Sequence, residues 1–106
     1  MGTHYLNHVF SPRSIAVFGA TETNDTPGEL VFRNLVEAGY TGKLYGINPK
    51  YSEVRGKPCY ASIEDIPDTI EFVVIATPAS TIPEIITQCG EAGVKGALVV
   101  SGGFSD

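Results

Sequence analysis

Short apolar runs alternate along this chain with segments whose apolar residues recur at helical spacing. Each run ends in glycine, proline or small polar residues, which is typical of a buried strand that stops in a turn. The pattern predicts strands at 14–20, 43–48, 56–60, 71–77 and 96–101, helices at 27–38 and 81–91, and a helical turn at 62–66. Strands that alternate with helices indicate an α/β fold with a doubly wound, mostly parallel sheet. Right-handed crossovers would place helices on both faces of that sheet.

Two helix starts carry the same local signal. Thr26-Pro27-Gly28-Glu29 combines a hydroxyl N-cap, a proline at the first helical position and a glutamate three residues after the cap. Thr81-Ile82-Pro83-Glu84 repeats this capping box, and Ser62-Ile63-Glu64-Asp65 is a weaker version of it. The first helix is predicted to end at Gly39. Its buried face is predicted from helical spacing to consist of Val31, Leu35 and Ala38.

The composition indicates one small globular domain. The chain has 106 residues, of which 42% are hydrophobic and 18% are charged, so it can form a core. A formal charge of -5 argues against nucleic acid or an anionic membrane as the main partner, because both attract basic surfaces. The longest apolar run is too short for a bilayer, and the N-terminus lacks a signal-peptide pattern. We therefore expect a cytoplasmic location by default.

Cysteine usage and the C-terminal residues add two expectations. Cys59 and Cys89 do not make a disulfide framework, and no CxxC or His/Cys cluster predicts a metal site. Cys89 continues an apolar helical stripe, so we expect it in the core. Residues 99–106 lead from a strand into a glycine turn, which usually precedes another helix. Residues 1–106 are therefore expected to be the N-terminal part of a longer protein.

The ends of the predicted strands hold the candidate binding residues, because ligands of open α/β folds bind at the carboxyl edge of the sheet. The loop between Gly19 and Gly28 leads into a helix N-terminus, which favours an anion such as phosphate. It matches neither GxGxxG nor a Walker A loop, so a simple capped connection remains the alternative. Three acidic residues in or beside the loop would repel an anion unless they point away: Glu22, Asp25 and Glu29.

The second strand ends in Asn48-Pro49-Lys50, where an NAD site would carry Asp or Glu for the ribose hydroxyls. A cation at that position suits a phosphate on the adenosine ribose, as in NADP or coenzyme A (CoA). An ordinary solvated lysine after a proline turn is the alternative.

The strand at 71–77 ends in Thr77-Pro78-Ala79, a flat apolar wall that suits an adenine or a pantetheine arm, although it also fits simple strand termination. Ser101 and Gly102 follow the last strand and would line the same crevice. No Ser/His/Asp or Cys/His set and no paired carboxylates are visible, so the sequence predicts no catalytic residues.

Six segments occur in a characteristic order: 10–20, 34–35 with 39–42, 48–50, 56–60, 76–79 and 102–104. Together they resemble the N-terminal CoA-binding domain of NDP-forming acyl-CoA synthetases, the group related to the succinyl-CoA synthetase α subunit. The resemblance implies a Rossmann-like fold that binds CoA at the carboxyl edge. It assigns Gly19, Ala20, Thr21 and Gly28 to a phosphate-contacting turn and Asn48, Pro49 and Lys50 to the nucleotide end. It assigns Thr77, Pro78 and Ala79 to a turn that lines CoA, and Ser101 and Gly102 to one that closes the site.

The resemblance also implies what this chain lacks. Full enzymes of the group use a phosphorylated histidine in a later domain, and neither His4 nor His8 matches it. The expected partners are CoA or acyl-CoA and the downstream domains or partner subunit that carry the histidine and an ATP-grasp domain. Three alternatives stay open at this point. One is a CoA-binding regulatory domain of a protein lysine acetyltransferase, and another is an NADP-binding domain of an oxidoreductase. The third is a Rossmann-like interaction domain that binds no nucleotide.

Overall fold

The computed structural model describes residues 12–100, which form one six-stranded sheet flanked by two α-helices. The strands are β1 (Ser14–Phe18), β2 (Lys43–Ile47), β3 (Glu53–Val54), β4 (Lys57–Tyr60), β5 (Phe72–Ile75) and β6 (Gly96–Val99). The helices are α1 (Pro27–Glu37) and α2 (Ile82–Glu91), and single 3-10 turns span Ile63–Asp65 and Ala79–Thr81. The prediction of an α/β fold is therefore confirmed.

The sheet order is β3-β4-β2-β1-β5-β6, with β1 at the centre. Every pair is parallel except β3 with β4, which form an antiparallel hairpin at one edge. The strand order runs outward from β1 in both directions, which is the arrangement of a doubly wound, Rossmann-like sheet. Since β1 lies between β2 and β5, the crevice expected at a topological switch point lies beside its carboxyl end.

The two faces of the sheet are covered by different elements, as the crossover rule predicts. Ile15 and Val17 of β1 pack with Phe32 of α1 in one core cluster. Ala16 and Phe18 point to the other face, where they share a second cluster with residues that include Ile85 and Cys89 of α2. The expected core position of Cys89 is confirmed, because the residue is only 4% exposed.

Two local predictions about the helices need correction. Val31 and Leu35 are half-buried and pack against the core cluster, but Ala38 is exposed, and the fully buried apolar residue of α1 is Phe32. The face that a helix buries depends on its rotation about its own axis when it packs on the sheet. Helical spacing in the sequence predicts that rotation only to within about one residue. At α2, Thr81 makes no capping bond, because the 3-10 turn Ala79–Thr81 already begins the helical path and the Thr81 hydroxyl donates to the Pro78 carbonyl.

The amino edge of the sheet is held by paired polar side chains. The buried Ser14 hydroxyl donates to the Thr69 carbonyl at 2.8 Å and accepts from the Glu71 N–H at 2.9 Å. Asp68 accepts a hydrogen bond from the Tyr45 hydroxyl and forms an ion pair with Lys43. These contacts fix the loop that enters β5 against the start of β1 and against β2.

Candidate functional site

The carboxyl ends of the three central strands meet at one place. The Gly19 N–H donates to the Ile47 carbonyl at 3.0 Å, and the Ala76 N–H donates to the Phe18 carbonyl at 3.0 Å. These bonds continue the parallel ladder by one residue beyond each strand. The loops that follow β1, β2 and β5 therefore start side by side, and they carry most of the residues that the sequence nominates.

Two glycines allow this close approach. Gly19 has φ +89°, and a Cβ there would lie 2.8 Å from the Ala76 carbonyl oxygen. A Cβ on Gly28 would overlap the carbonyl of Gly19, because the first turn of α1 packs directly on the end of β1. The bare backbone at Gly28 is thus explained by helix-to-strand packing, a role that glycine also has in dinucleotide-binding turns.

Three backbone N–H groups in or beside the β1–α1 loop make no hydrogen bond within residues 12–100; Thr21 is half-buried, whereas Ala20 and Gly28 are buried. Among the described residues, no group accepts a hydrogen bond from the N–H of Ala20, Thr21 or Gly28. The Thr26 hydroxyl accepts from the Glu29 N–H at 3.4 Å, so the predicted N-cap is confirmed. Unpaired N–H groups at a helix N-terminus favour an anion, because they point at it and the helix dipole adds to the attraction.

Of the three acidic residues in or beside this loop, Glu29 is turned inward and paired with cations, whereas Glu22 and Asp25 are exposed. Glu29 is only 1% exposed, and its Oε2 lies 3.2 Å from Arg55 Nη2 and 3.3 Å from Arg33 Nε. Its Oε1 accepts from the Asp25 N–H at 3.3 Å instead of closing the predicted capping box on Thr26. Glu22 accepts from the Arg55 N–H at 3.1 Å. Glu29 therefore points away from a ligand at the loop, as an anion site requires.

Asn48, Pro49 and Lys50 have separate roles. Asn48 is a bridge: its Nδ2 donates to the Ala20 carbonyl at 2.9 Å, and its Oδ1 accepts from the Lys50 N–H at 2.9 Å. Pro49 and Lys50 are exposed. Within residues 12–100 no carboxylate pairs with the Lys50 ammonium group. The Lys50 side chain is thus a long, flexible chain that ends in an ammonium group unpaired within these residues, which suits contact with a phosphate.

The third strand end supplies a flatter surface. The Thr77 hydroxyl shares a 2.6 Å hydrogen bond with the Thr81 hydroxyl, which ties the loop to the start of α2. Pro78 and Ala79 are exposed and follow directly. Ser101 and Gly102, the remaining nominated residues, lie outside the described residues, as do His4 and His8.

Two residues that the sequence analysis did not nominate also contact the loop. The Tyr51 hydroxyl lies 2.8 Å from the Thr21 hydroxyl, and Arg55 contacts both Glu22 and Glu29. Hydrogen bonds with Thr21, with Thr23 and with the Glu22 backbone lower the pKa of Tyr51. Their partners are 26 to 33 positions away in sequence, so no local pattern indicates them. The one hint is that Tyr51 directly follows the nominated Lys50.

A larger groove lies elsewhere and holds none of the nominated residues. Its volume is about 1240 Å³, and its walls are mainly apolar side chains of β1, α1, β5 and β6, among them Ile15, Leu35, Phe72 and Leu98. It opens beside Pro12, the first described residue. Because a phosphorylated ligand needs polar donors, we place the candidate site at the carboxyl edge rather than in this groove.

Other kinds of site find no support in the described part of the chain. Residues 12–100 contain no group of three His, Cys, Asp or Glu side chains that could hold a metal ion. None of the helices described there is long and apolar enough to cross a membrane. Both cysteines described are buried, and burial raises the pKa of the Cys59 and Cys89 thiols, so neither has the character of an activated nucleophile.

Known proteins with the same sequence pattern are CoA ligases. This chain is 43% identical over 101 residues to acetate–CoA ligase (ADP-forming) II of Archaeoglobus fulgidus, a match that covers 95% of this chain and 15% of the ligase. It is 37% identical over 105 residues to the alpha subunit of acetate–CoA ligase (ADP-forming) I of Pyrococcus furiosus, covering 95% of this chain and 23% of the subunit. The chain therefore spans less than a quarter of either relative.

The fold also matches that of a solved structure. Acetyl-coenzyme A synthetase 1 of Candidatus Korarchaeum cryptofilum, in complex with phosphate and ADP, superposes with a TM-score of 0.86 at 40% identity. The match covers 93% of this chain and 21% of the synthetase. A family described as the CoA binding domain matches residues 13–106, nearly the whole of the sequence. With the sheet order and the strand ends described above, this match shows that the chain belongs to the CoA-binding domain family.

Proposed function

We propose that this chain binds CoA or acyl-CoA at the carboxyl edge of its sheet, as the CoA-binding domain of a longer ADP-forming acyl-CoA synthetase. The observation that carries the proposal is the exposed Lys50, which follows closely after Asn48, the residue whose side chain bonds to the Ala20 carbonyl of the β1–α1 loop. Membership of the CoA-binding domain family supports the same ligand.

Each part of CoA has a suitable partner at this edge. The Lys50 ammonium group suits the phosphate on the adenosine ribose, because a flexible point charge can reach it from solvent. The N–H of Thr21, which follows β1, and that of Gly28, in the first turn of α1, suit the pyrophosphate. Pro78 and Ala79 are exposed and offer a flat wall for the adenine or the pantetheine arm.

Catalysis then belongs to other parts of the protein. The matched relatives are ligases of which this chain spans 15% to 23%, and the resemblance places the phosphorylated histidine and the ATP-grasp domain outside the segment. We expect the chain to hold the CoA thiol for an acyl transfer that a downstream domain or a partner subunit performs. A regulatory CoA-binding domain of a lysine acetyltransferase would have the same site, and the sequence beyond Asp106 distinguishes the two.

The test is calorimetric titration of the purified chain with CoA, dephospho-CoA, NADP and NAD. The proposal predicts that CoA binds with the highest affinity and that dephospho-CoA binds more weakly, because it lacks the ribose phosphate. Absence of CoA binding would contradict the claim that these residues form a complete site.

NADP binding is the second candidate, and the same Lys50 favours it because NADP also carries a phosphate on its adenosine ribose. The loop lacks the GxGxxG spacing that dinucleotide sites use, which weighs against it. Tighter binding of NADP than of CoA in the same titration would assign the chain to the oxidoreductases.

A further inference from the structure

The segment from Asn48 to Arg55 contacts the β1–α1 loop at successive positions. We call residues 48–55 the latch segment. Asn48 binds the Ala20 carbonyl, Tyr51 binds the Thr21 hydroxyl, and Arg55 binds the carboxylates of Glu22 and Glu29. These contacts follow the loop from its first residue to the first turn of α1. The loop conformation is therefore set from outside, by a segment about thirty residues away in sequence.

Tyr51 makes the central contact of the latch segment. Its ring packs against the core cluster on the α1 face, and its hydroxyl reaches Thr21 at 2.8 Å. The Thr21 hydroxyl in turn accepts from the Thr23 N–H at 3.1 Å and lies 3.3 Å from the Thr23 hydroxyl. Tyr51 thus fixes a small turn at residues 21–23, which immediately follows Ala20 and its free N–H group.

Arg55 anchors the far end of the latch segment. The residue before it, Val54, is fully buried, so the hairpin cannot move away from the sheet without exposing core. The Arg55 backbone has φ 50°, a conformation that aims its N–H at Glu22 while its guanidinium group reaches Glu29. Since Glu29 is itself buried, this end of the latch segment is rigid, and Tyr51 is the contact that a conservative substitution can remove alone.

We propose that Tyr51 is a positioning residue of the candidate CoA site: its hydroxyl holds the β1–α1 loop in its binding conformation and couples that loop to the segment carrying Lys50. A preorganised loop binds more tightly than one that must be ordered on binding, because the ordering entropy is lost before the ligand arrives. The coupling also keeps the backbone that carries Lys50 beside the β1–α1 loop, while the Lys50 side chain stays exposed. This inference rests on the proposed function.

The first test compares Tyr51→Phe with Tyr60→Phe in calorimetric titration with CoA. Tyr60 is a matched control, because no described residue hydrogen-bonds to its hydroxyl and its ring, like that of Tyr51, packs against core. Loss of one positioning hydrogen bond is expected to weaken CoA binding about fivefold in Tyr51→Phe, with no change in Tyr60→Phe. Equal affinity of Tyr51→Phe and the unmodified chain for CoA would overturn the proposal.

A double-mutant cycle separates positioning from general damage. Thr21→Val removes the partner hydroxyl and is combined with Tyr51→Phe. We expect Thr21→Val to weaken CoA binding at least as much as Tyr51→Phe, because it also removes the bond from the Thr23 N–H, and we expect the double variant to bind CoA as weakly as Thr21→Val and no more weakly. Additive losses would show that the two hydroxyls do not act together and would overturn the proposal.

Hydrogen exchange without ligand tests the latch independently of CoA. In Tyr51→Phe the amides of residues 20–24 should exchange faster, while those of β1 and β2 keep their protection and the melting temperature stays unchanged. If the unmodified chain fails to bind CoA but this local change is seen, the proposed function is wrong and the latch contact stands. If loop exchange is unchanged in Tyr51→Phe, the positioning role is wrong whatever the chain binds.

Discussion

The two edges of the sheet use their polar groups in opposite ways. At the amino edge, the Ser14 hydroxyl bonds to the backbone of the loop that enters β5, and Asp68 accepts from Tyr45 and pairs with Lys43. The hydroxyl and carboxylate groups of this edge are therefore satisfied within the protein. At the carboxyl edge, the Lys50 ammonium group and the N–H groups of Ala20, Thr21 and Gly28 have no partner among the described residues. The polar side chains that are paired there, such as Asn48 and Tyr51, hold loops in place.

This difference indicates which edge stabilises the fold and which edge is accessible to a ligand. A buried polar group without a partner costs free energy, so the internal pairing of the amino edge contributes to stability. A backbone donor without a protein partner is tolerated where water or a ligand can reach it, as at the half-buried Thr21. Substitutions at the amino edge should therefore change stability, and substitutions of exposed groups at the carboxyl edge should change binding.

The largest effect should come from Gly28→Ala, at the carboxyl edge. The added Cβ would overlap the Gly19 carbonyl, so α1 must move off β1. We expect a loss of about 3 kcal/mol or more in the free energy of unfolding, measured by urea denaturation. Gly90→Ala is the control, because a Cβ there meets nothing within 4 Å, and it should stabilise α2 slightly. Similar stability of the two variants would show that Gly28 is not a packing glycine.

Ser14→Ala should break the amino edge with the next largest effect. It leaves the Thr69 carbonyl and the Glu71 N–H without their shared partner in a buried place, at a cost of about 2 kcal/mol. Ser80→Ala removes an exposed hydroxyl that bonds to no described residue and should leave the urea midpoint unchanged. CoA affinity should be the same in Ser14→Ala as in the unmodified chain at a temperature where both are folded. A loss of affinity would mean that the edges are not independent.

Lys50→Ala should have the converse effect. It is expected to weaken CoA binding about tenfold, or roughly 1.5 kcal/mol, without a change in melting temperature. Binding of dephospho-CoA should be little affected if Lys50 meets the ribose phosphate. Lys95→Ala is the matched control, since it removes the same charge from an exposed lysine next to β6 at the amino edge. An equal loss for CoA and dephospho-CoA would reject the assignment of Lys50 to the ribose phosphate.

The smallest effect concerns alkaline pH at the amino edge. The hydrogen bond with Asp68, together with burial, raises the pKa of Tyr45 to about 12 from 10.0. A raised folded-state pKa gives stability that is fully present below pH 10 and is lost as the pH rises towards 12. The urea midpoint of Tyr45→Phe should consequently fall less than that of the unmodified chain over this interval. An identical fall in both proteins would show that Tyr45 does not contribute to alkaline unfolding.

The sequence predicted the elements whose signals are local. The apolar runs at 14–20 and 71–77 located β1 and β5, and Thr26-Pro27-Gly28-Glu29 located the start of α1. The hairpin strand β3 was missed because it has two residues, of which only Val54 is buried. Phe32 was missed as the core residue of α1 because the seating of a helix on a sheet is a tertiary property.

The candidate site was predictable only in outline. Parallel strands end at a common edge, so the order of the strands was enough to bring Gly19, Asn48 and Thr77 into one region. The inward turn of Glu29 and the contacts of Tyr51 and Arg55 depend on partners distant in sequence. Local residue patterns do not encode such pairs, and they emerge only when the hairpin and the β1–α1 loop are placed together.

The most direct test of the central claim is an amide ¹H–¹⁵N NMR titration of the chain with CoA. The account predicts saturable shifts at the carboxyl edge, in residues 19–28, at Asn48 and Lys50 and at Thr77. Residues 68–71 at the amino edge and the apolar groove around Leu35 and Phe72 should keep their peak positions. Shifts confined to the amino edge or the groove would contradict the account, as would the absence of any shift at saturating CoA.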